Sequence, residues 1–526
     1  MIWIILAGVV ALLLWYSFVK PMNYFTEMGV KQTKPWPFFG DQWKIVFRQT
    51  SFGELIEWIY NMYPNSRYSG FYQFTTPTLL IRDPELIKEI TVKEFDHFTD
   101  HRSFVDPEAD PLWGRNLLSL KGQRWREMRA TLSGSFTSSK MKNMFHLMNE
   151  AAENFVQYFL DKKQDVLQIE MKDTYTRYTN DVIATTAFGI QVDSLTEPNN
   201  VFYTMGKRAT NFGGFFTRLK FFGFFLVPKI FKIFKISFFA KEVSNFFRSI
   251  INEAIHVREE KGIVRQDMIH LLLEARKGIN HEDTEVTETG FATVKESTDL
   301  GKFKQIKSLS NEDITSQALI FFFAGFDTIS TAMCFGSYEL AVNRGVQDKL
   351  RKEIQNTHKA NNGKPTYDIL LKMKYLDMVV SEILRKWPPG VGVDRLCTKP
   401  YTIEPVNPDE KPVHLKVGDI LLLPIQGIHR DPEFYPNPYK FDPERFSDEN
   451  KDNIRPYTYL PFGSGPRNCI GSRFALLECK ALFYHLLLNF EIVPTKQTTI
   501  PLKLNKGSFN HTAEGGFWLG LKRITV

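Results

Sequence analysis

The run Phe462-Gly463-Ser464-Gly465-Pro466-Arg467-Asn468-Cys469-Ile470-Gly471 leads directly into Ser472-Arg473-Phe474-Ala475-Leu476-Leu477-Glu478, whose apolar spacing reads as a helix. A loop here delivers a cysteine to a helix start. Amide donors and the positive end of that helix stabilise a thiolate, and the thiolate is the form that binds metal. Gly465 and Gly471 permit tight turns and a close backbone approach to something flat and large, while Arg467 offers a fixed charge to an anionic edge. A lone cysteine is most often a packing residue, because the thiol packs well when buried. Five defined positions within ten residues would nevertheless match by accident only ~10⁻⁴ times in a chain of this length.

Those are the requirements of a haem, and the motif has company. Upstream, Glu382-Ile383-Leu384-Arg385 puts an acid and a base three apart on one helical face, and Asp442-Pro443-Glu444-Arg445-Phe446 carries a second arginine. The Glu382 carboxylate could hold both guanidinium groups if Arg445 folds back. Ala324-Gly325-Phe326-Asp327-Thr328 lies inside a long helical pattern over 311–343, where small Ala324 and Gly325 leave space beside the helix. Thr328 can bond its own backbone or a ligand, and Asp327 beside it can feed protons inward.

In Phe462, Gly465, Arg467, Cys469 and Gly471 the chain resembles the haem-binding loop of the cytochrome P450 superfamily. Glu382 and Arg385 resemble that family's Glu-x-x-Arg helix, Arg445 the arginine that joins it, and 324–328 its oxygen-activation motif. Trp125-Arg126-Glu127-Met128-Arg129 resembles the helix that grips the haem propionates, with Trp125 and Arg129 as donors and Arg395 as a further one. One departure is His101, which stands where related enzymes often carry a propionate arginine. The likeness covers essentially the whole chain. In 212–239, in 265–278 and in 321–328 it looks most like insect microsomal members that metabolise xenobiotics.

The resemblance implies haem b held by Cys469, whose electron donation assists O–O cleavage, and electrons from NADPH through NADPH-cytochrome P450 reductase, with cytochrome b5 as a second donor. It implies insertion of one oxygen atom from O2 into lipophilic molecules such as plant toxins or insecticides. The alternatives are oxidation of an endogenous hormone or lipid, a haem-thiolate isomerase or dehydratase, and a haem-based sensor. Retention of Asp327 and Thr328 counts against the last two.

The rest of the 526 residues agrees. Ile2 to Val19 is almost continuously apolar, with no Lys or Arg before it and Lys20, Lys31 and Lys34 after it. That predicts a membrane anchor over 1–20 and a catalytic body on the cytosolic side of the endoplasmic reticulum. Pro35 and Pro37 predict a stiff, extended, proline-rich connector over 21–40. With 43% hydrophobic residues and no internal linker or repeat, 41–526 reads as one catalytic domain. Four cysteines suit a reducing compartment better than a disulfide framework, and a net charge of +7 is modest for this length and says little about nucleic acid, which is not among the expected partners.

The pattern predicts a mainly α fold with small β-sheets. Helices are expected at 52–62, 84–95, 119–131, 137–160, 170–188, 241–260, 266–276, 311–343, 346–357, 376–386 and 470–487, and strands at 71–75, 78–82, 401–404, 419–423 and within a hairpin over 498–525. Residues 280–310 read as a polar surface loop. Between Phe212 and Phe239 stand eleven phenylalanines, and Lys229, Lys232 and Lys235 share a helical face suited to a membrane surface. Phe104, Trp113, Phe212, Phe215, Phe321, Phe322 and Phe323 are the expected aromatic walls of a substrate pocket for bulky, mostly uncharged molecules, with no basic cluster beside them.

Overall fold

The computed structural model describes residues 1–211, 214–265, 267–278, 290–294, 309–506 and 511–524, with only the backbone described at Ser135 and Phe215. The anchor helix Ile2–Phe18 has no buried residue, and the apolar segment it opens has a mean hydropathy of 2.4. It is long and apolar enough to enter a bilayer. Asn311–Val342 passes the same test of length and composition, but most of it is buried within the protein, so it is a core helix.

That central helix starts on a reciprocal cap in which Ser310 Oγ accepts the Asp313 amide and the Asp313 carboxylate accepts the Ser310 amide, both at 3.1 Å. Its 32 residues span about 48 Å at 1.5 Å per residue. Around it pack Met171–Ile183, Val201–Thr210, Lys241–Lys261, Lys374–Lys386 and Ser472–Asn489. Side chains from all of these join one hydrophobic core.

Among the described residues, nine strands form three small sheets. Strands β1 (Tyr68–Gln73), β2 (Thr76–Ile81), β4 (Val393–Leu396) and β7 (Ile420–Leu423) make one in the order β1-β2-β7-β4, with β2 and β7 parallel. Strands β3 (Val166–Glu170), β8 (Phe490–Pro494) and β9 (Trp518–Arg523) make an antiparallel sheet centred on β9, and β5 (Tyr401–Ile403) pairs with β6 (Val413–Leu415). Strands β3, β4, β6 and β8 lie outside the expected set. The expected C-terminal hairpin is reduced to a short ladder, with Asn505 donating to Thr512 and Glu514 to Lys503. Its tip at 507–510 and most of the expected loop over 280–310 lie outside the described residues.

The connector expected to run extended over 21–40 is instead folded onto the body. Residues 20–27 form short helical turns, Phe25 is buried against Gly70, and Gln32 bridges to Gly70 in β1. Thr33 Oγ1 donates to the buried Asp41 carboxylate at 2.7 Å, and Asp41 also accepts the Tyr72 amide at 2.8 Å. The prolines prevent a long helix here, but the apolar side chains between them bury against the first sheet.

Candidate active site

The cysteine loop is closed by its own backbone. Cys469 donates its amide to the Phe462 carbonyl at 2.9 Å and Asn468 donates to Gly465 at 3.0 Å. Gly465 has φ +73, and a Cβ there would lie 1.8 Å from the Thr91 carbonyl oxygen, so only glycine fits this approach. Ser472–Asn489 begins three residues after the thiol. Burial pushes the Cys469 thiol up, while the Gly471 amide and the Arg129 charge favour the thiolate. The residue itself is nonetheless exposed, unlike the chain's other three cysteines. A side chain enclosed by protein yet accessible faces interior space.

Cations gather beside this loop. Arg129 is buried and donates to the Asn468 carbonyl and Oδ1 at 2.8 and 2.7 Å. Arg467 turns toward the preceding segment, donating to the carbonyls of Thr99, Leu117 and Leu120 at 2.7, 3.2 and 2.6 Å, with its guanidinium 4.0 Å from the centre of the Trp125 ring. Arg395 is fully buried and donates to the carbonyls of Asp394 and Ser464. Its Nε is buried with no hydrogen-bond partner among the described residues. Burial lowers Arg395 to about 10 and Arg467 to about 9, and Arg395 and Arg129 add repulsion to Arg467.

His101, the departure from the family pattern, is buried with Nδ1 3.0 Å from an Asp394 carboxylate oxygen, and burial followed by nearby Arg395 and Arg467 lowers its pKa. Arg395 and Arg467 thus face two carboxylates, Asp100 and Asp394. The donor set fits a haem: a soft sulfur on an accessible loop, and buried guanidinium groups gathered beside it where an anionic edge would lie.

On the central helix, Ala324 and Thr328 are exposed although residues before and after them are core. They lie one turn apart, so one face of the helix is open there. Thr328 Oγ1 donates to the Ala324 carbonyl at 2.6 Å. Gly325 does not leave free space as expected: a Cβ there would come within 2.8 Å of Ile183, so its small size admits the neighbouring helix Met171–Ile183. Phe136 connects this helix to the cysteine loop, with its ring 5.5 Å from that of Phe321 and 3.9 Å from a Cβ built on Gly471.

Asp327 does not stand alone. Lys172 Nζ lies 2.8 Å from its carboxylate and also donates to the Asp327 carbonyl, Ser330 Oγ and Thr331 Oγ1 at 3.0, 2.8 and 2.7 Å. Nothing in the spacing of Lys172 singled it out, because its partners are 155 residues away.

Glu382 and Arg385 form a fully buried fork, with Arg385 Nε and NH2 donating to the two carboxylate oxygens at 2.6 and 2.9 Å. Arg445 Nε approaches Glu382 at 3.7 Å while its NH2 donates to the carbonyls of Pro436 and Asn437. His429 extends the network: its Nδ1 meets the Arg385 carbonyl at 3.1 Å and its Nε2 accepts the Leu460 amide at 2.7 Å, two residues before Phe462.

The expected aromatic walls divide. Phe104, Trp113 and Phe323 join one ring cluster that also takes in Phe221, Phe224, Phe225 and Phe238. Phe322 does not belong to it. That ring is fully buried against Phe188, Phe202, Phe247 and Phe326, because one residue's step of about 100° turns it to the far side of the helix. Phe212 lies outside the described residues, and Phe215 begins the roof helix Phe215–Leu226. Two separate basic groups border these rings, Arg102 over Phe225 and Lys220 donating to the Phe238 carbonyl. A separate open cleft of about 580 Å³, lined by Ile190, Phe202, Phe246 and Ile250 among others, includes none of the predicted site residues.

The family model described as Cytochrome P450 matches residues 30–518. Cytochrome P450 9e2 of Blattella germanica is 46% identical over 518 residues, covering 96% of this chain and 94% of the relative. Probable cytochrome P450 9f2 of Drosophila melanogaster is 41% identical over 97% of each chain, and cytochrome P450 6k1 of Blattella germanica is 38% identical over 96% of this chain and 94% of its own.

Proposed function

Because this chain belongs to the cytochrome P450 family and is therefore a monooxygenase, we propose that it inserts one oxygen atom from O2 into lipophilic xenobiotics such as plant toxins or insecticides. Electrons come from NADPH through NADPH-cytochrome P450 reductase, with cytochrome b5 as a second donor. The protein is held by residues 1–20 in the endoplasmic reticulum membrane with its body, 41–526, on the cytosolic side. The observation that carries this reading is the pairing of an accessible Cys469 with a helical face open at Ala324 and Thr328, joined through Phe136.

Haem b, when bound, supplies the reductive activation of oxygen, assisted by electron donation from the thiolate. Cys469 would hold its iron, and Phe462, Gly465 and Gly471 shape the loop that presents the sulfur. Trp125, Arg129, Arg395 and Arg467 would hold its propionates. Ala324 and Gly325 keep the helix close, Thr328, whose hydroxyl donates to Ala324, offers its lone pairs to a proton donor in the site, and Asp327 supplies protons from the side where Lys172 lies. Glu382, Arg385 and Arg445 hold the segment that carries the loop. Phe104, Trp113, Phe321 and Phe323 exclude water and bind the apolar substrate, at roughly 25 cal/mol per Å² of surface removed from water.

The test is reconstitution of the full-length holoprotein with reductase and a panel of plant toxins, insecticides, steroids and terpenoids. NADPH consumption tied to a product heavier by one oxygen is expected. Rearranged peroxide without NADPH use would assign it to the isomerase class instead.

A further inference from the structure

Most of the buried or half-buried arginines meet a carboxylate at short range: Arg82 with Asp431 at 2.7 Å, Arg258 with Asp267 at 2.6 Å, Arg385 with Glu382 at 2.6 Å and Arg430 with Glu57 at 2.9 Å. Arg102 is different. Its NH1 donates to Gln73 Oε1 at 3.1 Å and its NH2 to Thr76 Oγ1 at 3.2 Å, both uncharged. Its guanidinium lies 5.0 Å from the centre of the Phe225 ring. Among the described residues it has no carboxylate within 4.0 Å of its guanidinium nitrogens. Asp394, the nearby acid, is engaged by the Arg102 backbone amide at 2.6 Å and by His101 at 3.0 Å.

Its place gives that unpaired charge meaning. Gln73 and Thr76 flank the turn between β1 and β2, and Phe225 belongs to the roof helix, so Arg102 sits where the first sheet, the roof and the loop after His101 meet. Two residues on, Phe104 stacks on the same Phe225 ring at 5.2 Å and reaches Trp113, Phe221, Phe224 and Phe238. A cation therefore borders one end of the aromatic wall. Burial lowers the pKa of its guanidinium although the charge of nearby Asp394 opposes it, so that carboxylate offsets the burial only in part.

We propose that Arg102 anchors the acidic end of an amphipathic substrate, so that the site takes lipophilic carboxylic acids, with their hydrocarbon body laid along the Phe104 and Phe225 rings. The guanidinium fork matches a carboxylate in two parallel hydrogen bonds, which a lysine could not reproduce. The inference rests on the monooxygenase reading and narrows its substrate class.

The experiment is spectral titration of the full-length holoprotein at neutral pH with dodecanoic acid and with its methyl ester, for wild type, Arg102→Gln and Arg102→Lys. The expected result is that Arg102→Gln weakens acid binding about tenfold or more and the ester less than about twofold. Arg102→Lys should keep part of the preference. If Arg102→Gln fails to take up haem, the acid-to-ester ratio in Arg102→Lys decides, and a several-fold loss supports the anchor. An acid-to-ester ratio that stays the same as in wild type overturns it and makes Arg102 a brace for the turn at 73–76. Oxygenation of the ester alongside an unchanged ratio would leave the monooxygenase reading intact. A changed ratio with no oxygenated product from any lipophile would do the reverse.

Discussion

Four thiols stand in the chain, and their surroundings separate them. Burial raises Cys334 and Cys479 and brings Cys397 to about 11, so each stays protonated at neutral pH and makes a poor metal ligand. Burial raises Cys469 too, but it is the exposed one, and the Gly471 amide and the Arg129 charge draw it back toward the thiolate. Cys469→Ser should therefore abolish the red-shifted carbon monoxide spectrum of the reduced protein, since a hydroxyl is a poor substitute for a soft thiolate. Substituting any of the other three should leave it, and a red-shifted band in Cys469→Ser would refute the ligand assignment. Thr328 poses a subtler test, because its hydroxyl already donates to Ala324 and has only lone pairs left for a second partner. Removing it leaves the fold's contacts nearly intact while disturbing proton delivery. Thr328→Ala should keep its haem yet lose several-fold in product formed per NADPH, with the missing equivalents found as peroxide. Unchanged coupling would show the hydroxyl to be only a helix cap for Ala324.

At the scale of elements, the two roof helices Phe215–Leu226 and Pro228–Ile233 leave apolar surface uncovered, with Phe216 at 81%, Ile233 at 74% and Phe234 at 73% exposure. Rings that large do not stay in water without a partner phase. Lys229 and Lys235 are exposed beside them, while Lys232 is held by Asp106 at 3.0 Å. Deleting Met1 to Lys20 should thus leave a protein that still binds anionic vesicles, and Lys229→Glu with Lys235→Glu should weaken that binding at least tenfold, at about 1 kcal/mol per basic residue near the surface. A truncated protein found wholly in the soluble fraction would reduce this segment to a lid. Helices whose apolar period persists over several turns, as in 52–62 and 311–342, were legible to within a few residues, whereas Val201–Thr210 and Phe215–Leu226 fall outside the expected set. Strands β3, β4, β6 and β8 were not, since each is only three to five residues long and owes its form to a distant partner, as β3 does to β9. The same limit explains the site. The Cys469 loop is local and reads directly, but Lys172 on Asp327, Arg102 over Phe225 and the inward turn of Phe322 depend on which helix faces which. The connector over 21–40 was misjudged because prolines announce the absence of helix and say nothing about docking.

Across the whole molecule, buried imidazoles set how the fold meets acid. Burial holds His429 at about 3, His511 at about 3 and His485 at about 4, against an ordinary value near 6.5. A histidine whose folded pKa is depressed takes up its proton first in the unfolded chain, so stability falls as pH drops below about 6.5 and keeps falling until the folded pKa is reached. At pH 5 the loss is on the order of 2 kcal/mol for each of the three. The buried carboxyls Asp41, Asp181, Glu382 and Glu478 act oppositely. Burial raises Asp41 and Asp181 to about 6, so both protonate in the folded state first and add stability below that pH, on the order of 1 kcal/mol each at pH 5. The paired acids Asp173 and Asp394, lowered to about 2 although burial opposes it, contribute no slope until the pH nears the ordinary carboxylate value. Burial lowers His101 as well, which adds to the loss, while raised Glu382 and Glu478 offset part of it, and a net loss of stability between pH 6.5 and 5 is expected. His429 matters most for function, because its neutral Nε2 accepts the Leu460 amide just before the cysteine loop while Nδ1 meets the Arg385 carbonyl. Protonation would remove that acceptor, so acid should loosen the Cys469 loop along with the fold. Thermal unfolding of the holoprotein followed by circular dichroism, with the thiolate carbon monoxide band read in parallel, should show both falling together from pH 7 to 5. His429→Gln, which can keep one acceptor and one donor but cannot titrate, should flatten that dependence while lowering the midpoint at pH 7 only slightly. A midpoint independent of pH in the wild type, or an unaltered slope in His429→Gln, would mean that acid enters through some other group.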